Sequence, residues 1–183
     1  MLGWAGAVLV LVMLTRMLPL PSAEEDEVKE SFPAGAVGRK RLIIVAVAVA
    51  ALVGMNLALY FVSGGGEARD GRELLLSCAV GVLLKPPLEE LLFRYMYLRR
   101  LVHYGRLSYP AAIGITSAFF AMWHSPESFV FAFFGGVVIG ASAAVSFDGT
   151  EKGFRRGFVN ALAVHALHNL ILYVIELCMA AGV

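Results

Sequence analysis

Runs of about 20 apolar residues recur along this chain, separated by short stretches of proline, glycine and charge, the pattern of helices long enough to cross a hydrocarbon layer about 30 Å thick. About six such runs are predicted, at Leu2–Leu18, Leu42–Val62, Leu74–Leu98, Ser108–His124, Phe129–Phe147 and Phe158–Ala180. The joints between them carry turn and charge chemistry: Pro19, Pro21 and the acidic run Glu24 to Glu27, the glycines Gly64 to Gly66, Arg99 to Arg106, and Asp148 to Arg156. Small residues four apart, Ala50 with Gly54 and Gly136 with Gly140, predict faces where two helices approach closely. The predicted fold class is all-α, a polytopic transmembrane helix bundle forming a single integral membrane domain over residues 1–183.

Composition agrees. Hydrophobic residues make up 59% of the chain and charged ones 16%, with mean hydropathy +0.76, against about half and about a quarter in soluble domains. With Lys+Arg 15 and Asp+Glu 14, the net charge of +1 offers no excess to track a phosphate backbone, so nucleic acid is excluded as a partner. Cys78 and Cys178 lie inside apolar runs and build neither a disulfide framework nor a thiolate metal site. Charge also sets orientation. Lys29, Arg39, Lys40, Arg41, Arg99, Arg100, Arg106, Lys152, Arg155 and Arg156 fall on one side, against Arg69 and Arg72 on the other. By the positive-inside rule the first side is cytoplasmic, so residues 19–41 form a cytoplasmic loop and both termini lie outside. Pro21-Ser22-Ala23 is a passable cleavage site, but no Lys or Arg precedes the first run, and cleavage there would export Arg39 to Arg41.

Inside the third run stands Lys85-Pro86-Pro87-Leu88-Glu89-Glu90-Leu91-Leu92-Phe93-Arg94, with Pro86-Pro87 expected to break the helix. Each ionisable residue at a helix centre costs about 2.5–3.5 kcal/mol on insertion, so lipid exposure is excluded. Glu90 and Arg94, four apart, share a helical face and are predicted to pair, either as a neutralised structural patch or as part of a site. Glu89 lies about 100° round the helix, with Phe93 as its own fourth neighbour and only Lys85 as a cation on its face. A carboxylate withdrawn from water without a tight cation is a stronger base than an exposed one, as a general base requires. The fourth run ends in Phe120-Ala121-Met122-Trp123-His124, and the sixth carries His165-Ala166-Leu167-His168-Asn169. Taken singly, His124 reads as a helix-end residue and His165 with Asn169 as hydrogen-bonding glue between helices. Taken together, carboxylate, imidazole and amide on three helices supply the base, the proton shuttle or ligand, and the oxyanion donor of a hydrolase.

In this order on successive membrane helices, Glu89-Glu90-x-x-x-Arg94, Phe120-x-x-x-His124 and His165-x-x-x-Asn169 resemble the CPBP family of intramembrane proteases. That family includes the type II CAAX prenyl endopeptidases and the bacteriocin-processing or Abi proteins. The resemblance covers about Leu74 to Leu172, taken as the catalytic core. Tyr95 stands where the family often has Gly, and about six spans is fewer than the eight often seen. The resemblance implies an endopeptidase in which Glu89 and His124 activate water while His165 and Asn169 stabilise the oxyanion. Glu90 and Arg94, with Phe120, would then form a supporting shell or hold the substrate. It implies a membrane-associated or lipidated peptide substrate and a multi-pass protein of a prokaryotic cell membrane. Many members are called metalloproteases, and Glu89, His124 and His165 would make the two-His, one-carboxylate set of a hydrolytic zinc site. No cofactor is favoured, because Asn169 suits the metal-free version. The alternatives are a catalytically silent scaffold or immunity protein on the same fold and a proton-coupled transporter.

Depth tests whether the groups can meet. At 1.5 Å per residue, Glu89 lies about 15 Å from Arg99 and His165 about 12 Å from Gly157, which agree. His124 lies about 24 Å from Ser108, so the fourth helix must tilt, start late around Pro110, or enter from a loop.

Overall fold

A computed structural model describes residues 39–62, 71–147 and 150–180, and among them the chain is helical without strands. The elements are α1 (Arg39–Val62), a helical run α2 over 71–103, α3 (Tyr109–Ala121), a short 3₁₀ turn (Pro126–Ser128), α4 (Phe129–Ala144) and α5 (Glu151–Ala180). The first predicted span, Leu2–Leu18, and most of the 19–41 loop lie outside the described residues. Two of the described helices are long and apolar enough to cross a membrane, Pro126–Ala144 and Glu151–Met179, whereas Leu42–Ala58 and Tyr109–Ala121 are shorter apolar stretches.

Every helix contributes a small or branched residue to the centre of the core. Leu52 of α1, Leu98 of α2, Ala112 of α3, Ala143 of α4 and Ala161 of α5 are each at most 1% exposed. Outside, Leu42, Leu76 and Leu83 are 72%, 69% and 69% exposed, a surface suited to lipid rather than water. The glycine expectation divides. A Cβ on Gly136 would stand 3.0 Å from the Ser117 Cβ, and one on Gly140 would stand 3.0 Å from the Ile113 Cγ2. That face of α4 lies hard against α3. Ala50 and Gly54 are instead exposed, with nothing within 4 Å of a Gly54 Cβ, because α1 packs through Ala48, Val49 and Leu52 on its other side.

Three expectations change for local reasons. The sixth span begins at Glu151 rather than Phe158, since Thr150 Oγ1 accepts from the Gly153 N–H at 3.0 Å and Glu151 sits in the first turn, both favourable at a helix start. Lys152, Arg155 and Arg156 are therefore helical, not joint. The fourth span starts at Tyr109 with Pro110 in its first turn and ends at Ala121, leaving His124 beyond the helix. The start is close to that expected, and His124 reaches the cavity from the segment after the helix end. Finally, Pro86-Pro87 does not break α2. The two missing N–H groups are absorbed by a wider turn over Val80–Leu84, where the Lys85 N–H reaches back to Val80 O. A second wide stretch follows over Leu91–Leu98, so Glu89 and Glu90 sit in a short α-helical segment, Lys85–Glu90, between two widened ones.

Candidate active site

The buried polar set starts from Glu90 and Arg94, both on α2 with fully buried side chains. Arg94 Nε stands 3.2 Å from Glu90 Oε2 in an ionic contact without hydrogen-bond alignment. Arg94 Nη2 donates to Gly136 O at 2.8 Å, and its guanidinium lies 4.9 Å from the Phe120 ring centre. The pair therefore bolts α2 to α3 and α4. Glu90 Oε1 accepts from His165 Nδ1 at 2.8 Å, bringing α5 into the same cluster. Because Nδ1 donates to a carboxylate, the other ring nitrogen of His165 is the one available for chemistry. That nitrogen, Nε2, lies 3.6 Å from Glu89 Oε2, too long for a hydrogen bond and short enough for a shared ligand.

A cavity of about 370 Å³ opens in front of these groups, and its lining includes Glu89, His124, His165 and Asn169. The four residues to which the sequence attached chemistry thus converge from α2, the segment after α3, and α5. Glu90 and Arg94 are absent from the lining and lie behind it. His124, exposed beyond the end of α3, is anchored by Nδ1 to Phe120 O at 2.9 Å and by ring contact with Phe120 at 4.6 Å. Phe120 also meets the His165 ring edge-on at 5.9 Å, so this one aromatic side chain touches Arg94, His124 and His165. Asn169 donates from Nδ2 to Gly81 O at 2.7 Å. Gly81, in the first wide turn of α2, also lines the cavity.

Sequence reasoning passed over Asn56 and gave His168 no role. Asn56, on α1, lines the cavity and lies 3.0 Å from His168 Nε2, and His168 Nδ1 lies 3.1 Å from Asn169 Oδ1. The available signal was an amide inside an otherwise apolar helix, itself expensive in lipid. Tyr95, the departure from the family pattern, is not at the cavity. Its hydroxyl donates to Glu151 Oε1 at 2.5 Å, joining α2 to the start of α5. Among the described residues no three His, Cys, Asp or Glu side chains are placed closely enough to hold an ion as they stand. His165 Nδ1 faces Glu90 and His124 Nδ1 faces the Phe120 carbonyl, which leaves Nε2 of each ring for a ligand or a proton.

A family model described as type II CAAX prenyl endopeptidase Rce1-like matches residues 71–171, more than half of the 183 residues and nearly the same segment as the three motifs. No curated protein and no solved structure matches the chain.

Proposed function

The chain belongs to the type II CAAX prenyl endopeptidase Rce1-like family, and on that premise we propose that it is an intramembrane endopeptidase that hydrolyses a peptide bond of a membrane-associated or lipidated substrate. One observation carries this reading: Glu89, His124, His165 and Asn169 line a single cavity while the Glu90–Arg94 pair stays behind it. A scaffold has no need to bring a carboxylate, two imidazoles and an amide to one cavity.

The chemistry is metal-free. Glu89, with His124, takes a proton from a water molecule in the cavity as its oxygen attacks the scissile carbonyl carbon. The resulting oxyanion accepts hydrogen bonds from Asn169 Nδ2 and from His165 Nε2. To donate at Nε2 while Nδ1 is held by Glu90, His165 carries two protons, with the carboxylates of Glu90 and Glu89 facing its two ring nitrogens. Collapse of the intermediate breaks the C–N bond, and the proton first taken from water passes to the leaving amine. Glu90 and Arg94 orient His165 rather than touching substrate. The chain crosses a prokaryotic cell membrane about six times, with the Arg99–Arg106 and Lys152–Arg156 side in the cytoplasm.

The test is substrate capture in cells. Membrane peptides that persist when Glu89→Gln replaces the native chain, and are cleaved when the native chain is present, are the expected result. An identical set of membrane peptides in the two strains rules the protease reading out.

A further inference from the structure

Asn56 and His168 stand outside the groups given chemistry above, and Asn56 lies outside the residues matched to the family. They belong to a chain of hydrogen bonds that ends at both sides on backbone carbonyls. Asn56 Nδ2 is 2.9 Å from Leu52 O and 3.0 Å from His168 Nε2, His168 Nδ1 is 3.1 Å from Asn169 Oδ1, and Asn169 Nδ2 is 2.7 Å from Gly81 O.

The direction of every link follows from those two ends. A carbonyl only accepts, so the Asn56 atom shared by Leu52 O and His168 is the NH₂ nitrogen, and its two protons are spent on these partners. His168 Nε2 must then accept, which puts the ring proton on Nδ1, and that N–H donates to Asn169 Oδ1. From the other end, Gly81 O requires a donor from Asn169, which turns Nδ2 toward Gly81 and Oδ1 toward His168. Both routes arrive at the same tautomer and the same amide orientation. Asn169 keeps one uncommitted N–H on Nδ2, and it lines the cavity that holds Glu89. All three side chains are half-buried, where a linked chain of hydrogen bonds is stiffer than its separate members.

We infer that Asn56 and His168 are positioning residues that lock the Asn169 amide with its free N–H toward the reacting carbonyl, so that α1 takes part in building the oxyanion site. This rests on the protease reading, which makes Asn169 an oxyanion donor.

The test pairs a spectrum with kinetics. Nitrogen NMR of ¹⁵N-histidine-labelled protein in nanodiscs, with the His168 signal identified by its loss in His168→Asn, is expected to show Nδ1 protonated and Nε2 bare. Asn56→Asp, isosteric but able only to accept, is expected to place a proton on Nε2. With a lipidated peptide, His168→Leu is expected to lower kcat about tenfold or more with KM nearly unchanged. His168→Asn, which keeps an N–H for Asn169 Oδ1, is expected to recover much of that loss. A protonated Nε2 in the active native enzyme, or native kcat in His168→Leu, overturns the inference while leaving the protease reading standing. Native protein with Nδ1 protonated but inactive on every lipidated peptide overturns the protease reading, and the positioning role with it, while the hydrogen-bond chain itself remains.

Discussion

Two polar clusters tie α2 to α5, and they are finished in opposite ways. At the basic end, Glu151 Oε1 takes the Tyr95 hydroxyl at 2.5 Å and Arg155 Nε at 3.2 Å, while its Oε2 faces Arg99 Nη1 at 2.6 Å. Arg99 in turn lies 5.2 Å from the Phe154 ring centre. Both oxygens of that carboxylate are occupied and the cluster closes on itself at a half-exposed surface. At the cavity end, Glu90 is held at Oε1 by a hydrogen bond from His165 and at Oε2 by ionic contact with Arg94, but Glu89 beside it opens onto the cavity with His165 Nε2 at 3.6 Å. A carboxylate ringed by donors is a fastener, whereas one left facing space beside an imidazole is available to a substrate.

The sharpest way to break this comparison is to unmake the buried fastener. Arg94→Met leaves the buried Glu90 with His165 as its remaining partner and removes the bond to Gly136 O, which is expected to cost about 3–5 kcal/mol of stability. Thermal melting in detergent should show it, and a variant that melts with the native protein would mean that Glu90 finds another partner. Next come the open groups. Asn169→Ala is expected to lose about 10²–10³ in turnover with substrate affinity nearly intact. His165→Ala should fall at least as far, and the chelator-treated native enzyme should stay active. Stoichiometric zinc, lost with activity under chelation and restored by adding the ion, would replace the carboxylate-activated water with a metal-bound one.

A third experiment separates the two ends in space. If the basic end is cytoplasmic, a reporter fused after Val183 is active only outside, and a fusion active only in the cytoplasm inverts the orientation of the whole bundle. The smallest effect belongs to the surface fastener. Glu151→Gln is expected to cost at most about 1 kcal/mol, because these groups are partly solvated, and to leave turnover within about twofold. A large loss of turnover in that variant would show the two clusters to be coupled along α2.

The legible part of this molecule was its expense. Ionisable and amide side chains in apolar helices are costly enough that Glu89, Glu90, Arg94, His124, His165 and Asn169 stand out from the pattern alone, and they do come together. The pairing of Glu90 with Arg94 also followed from spacing. Backbone accommodation was less legible: Pro86-Pro87 reads as a break by local chemistry, yet the widened turns on either side carry the helix through and deliver Gly81 O to Asn169. The same holds for faces. Gly54 and Gly136 have similar local sequence signatures, and only the packing of α3 on α4 distinguishes them. Tyr95 and Glu151 were unreadable as a pair because their contact spans 56 residues and depends on where α5 begins.

The central claim is that Glu89, and not its neighbour or any fastener, carries the reaction, and turnover of a lipidated peptide by purified protein in liposomes tests it most directly. Glu89→Gln should retain the native melting temperature and lose about 10²–10⁴ in rate. Full activity in that folded variant would contradict the account.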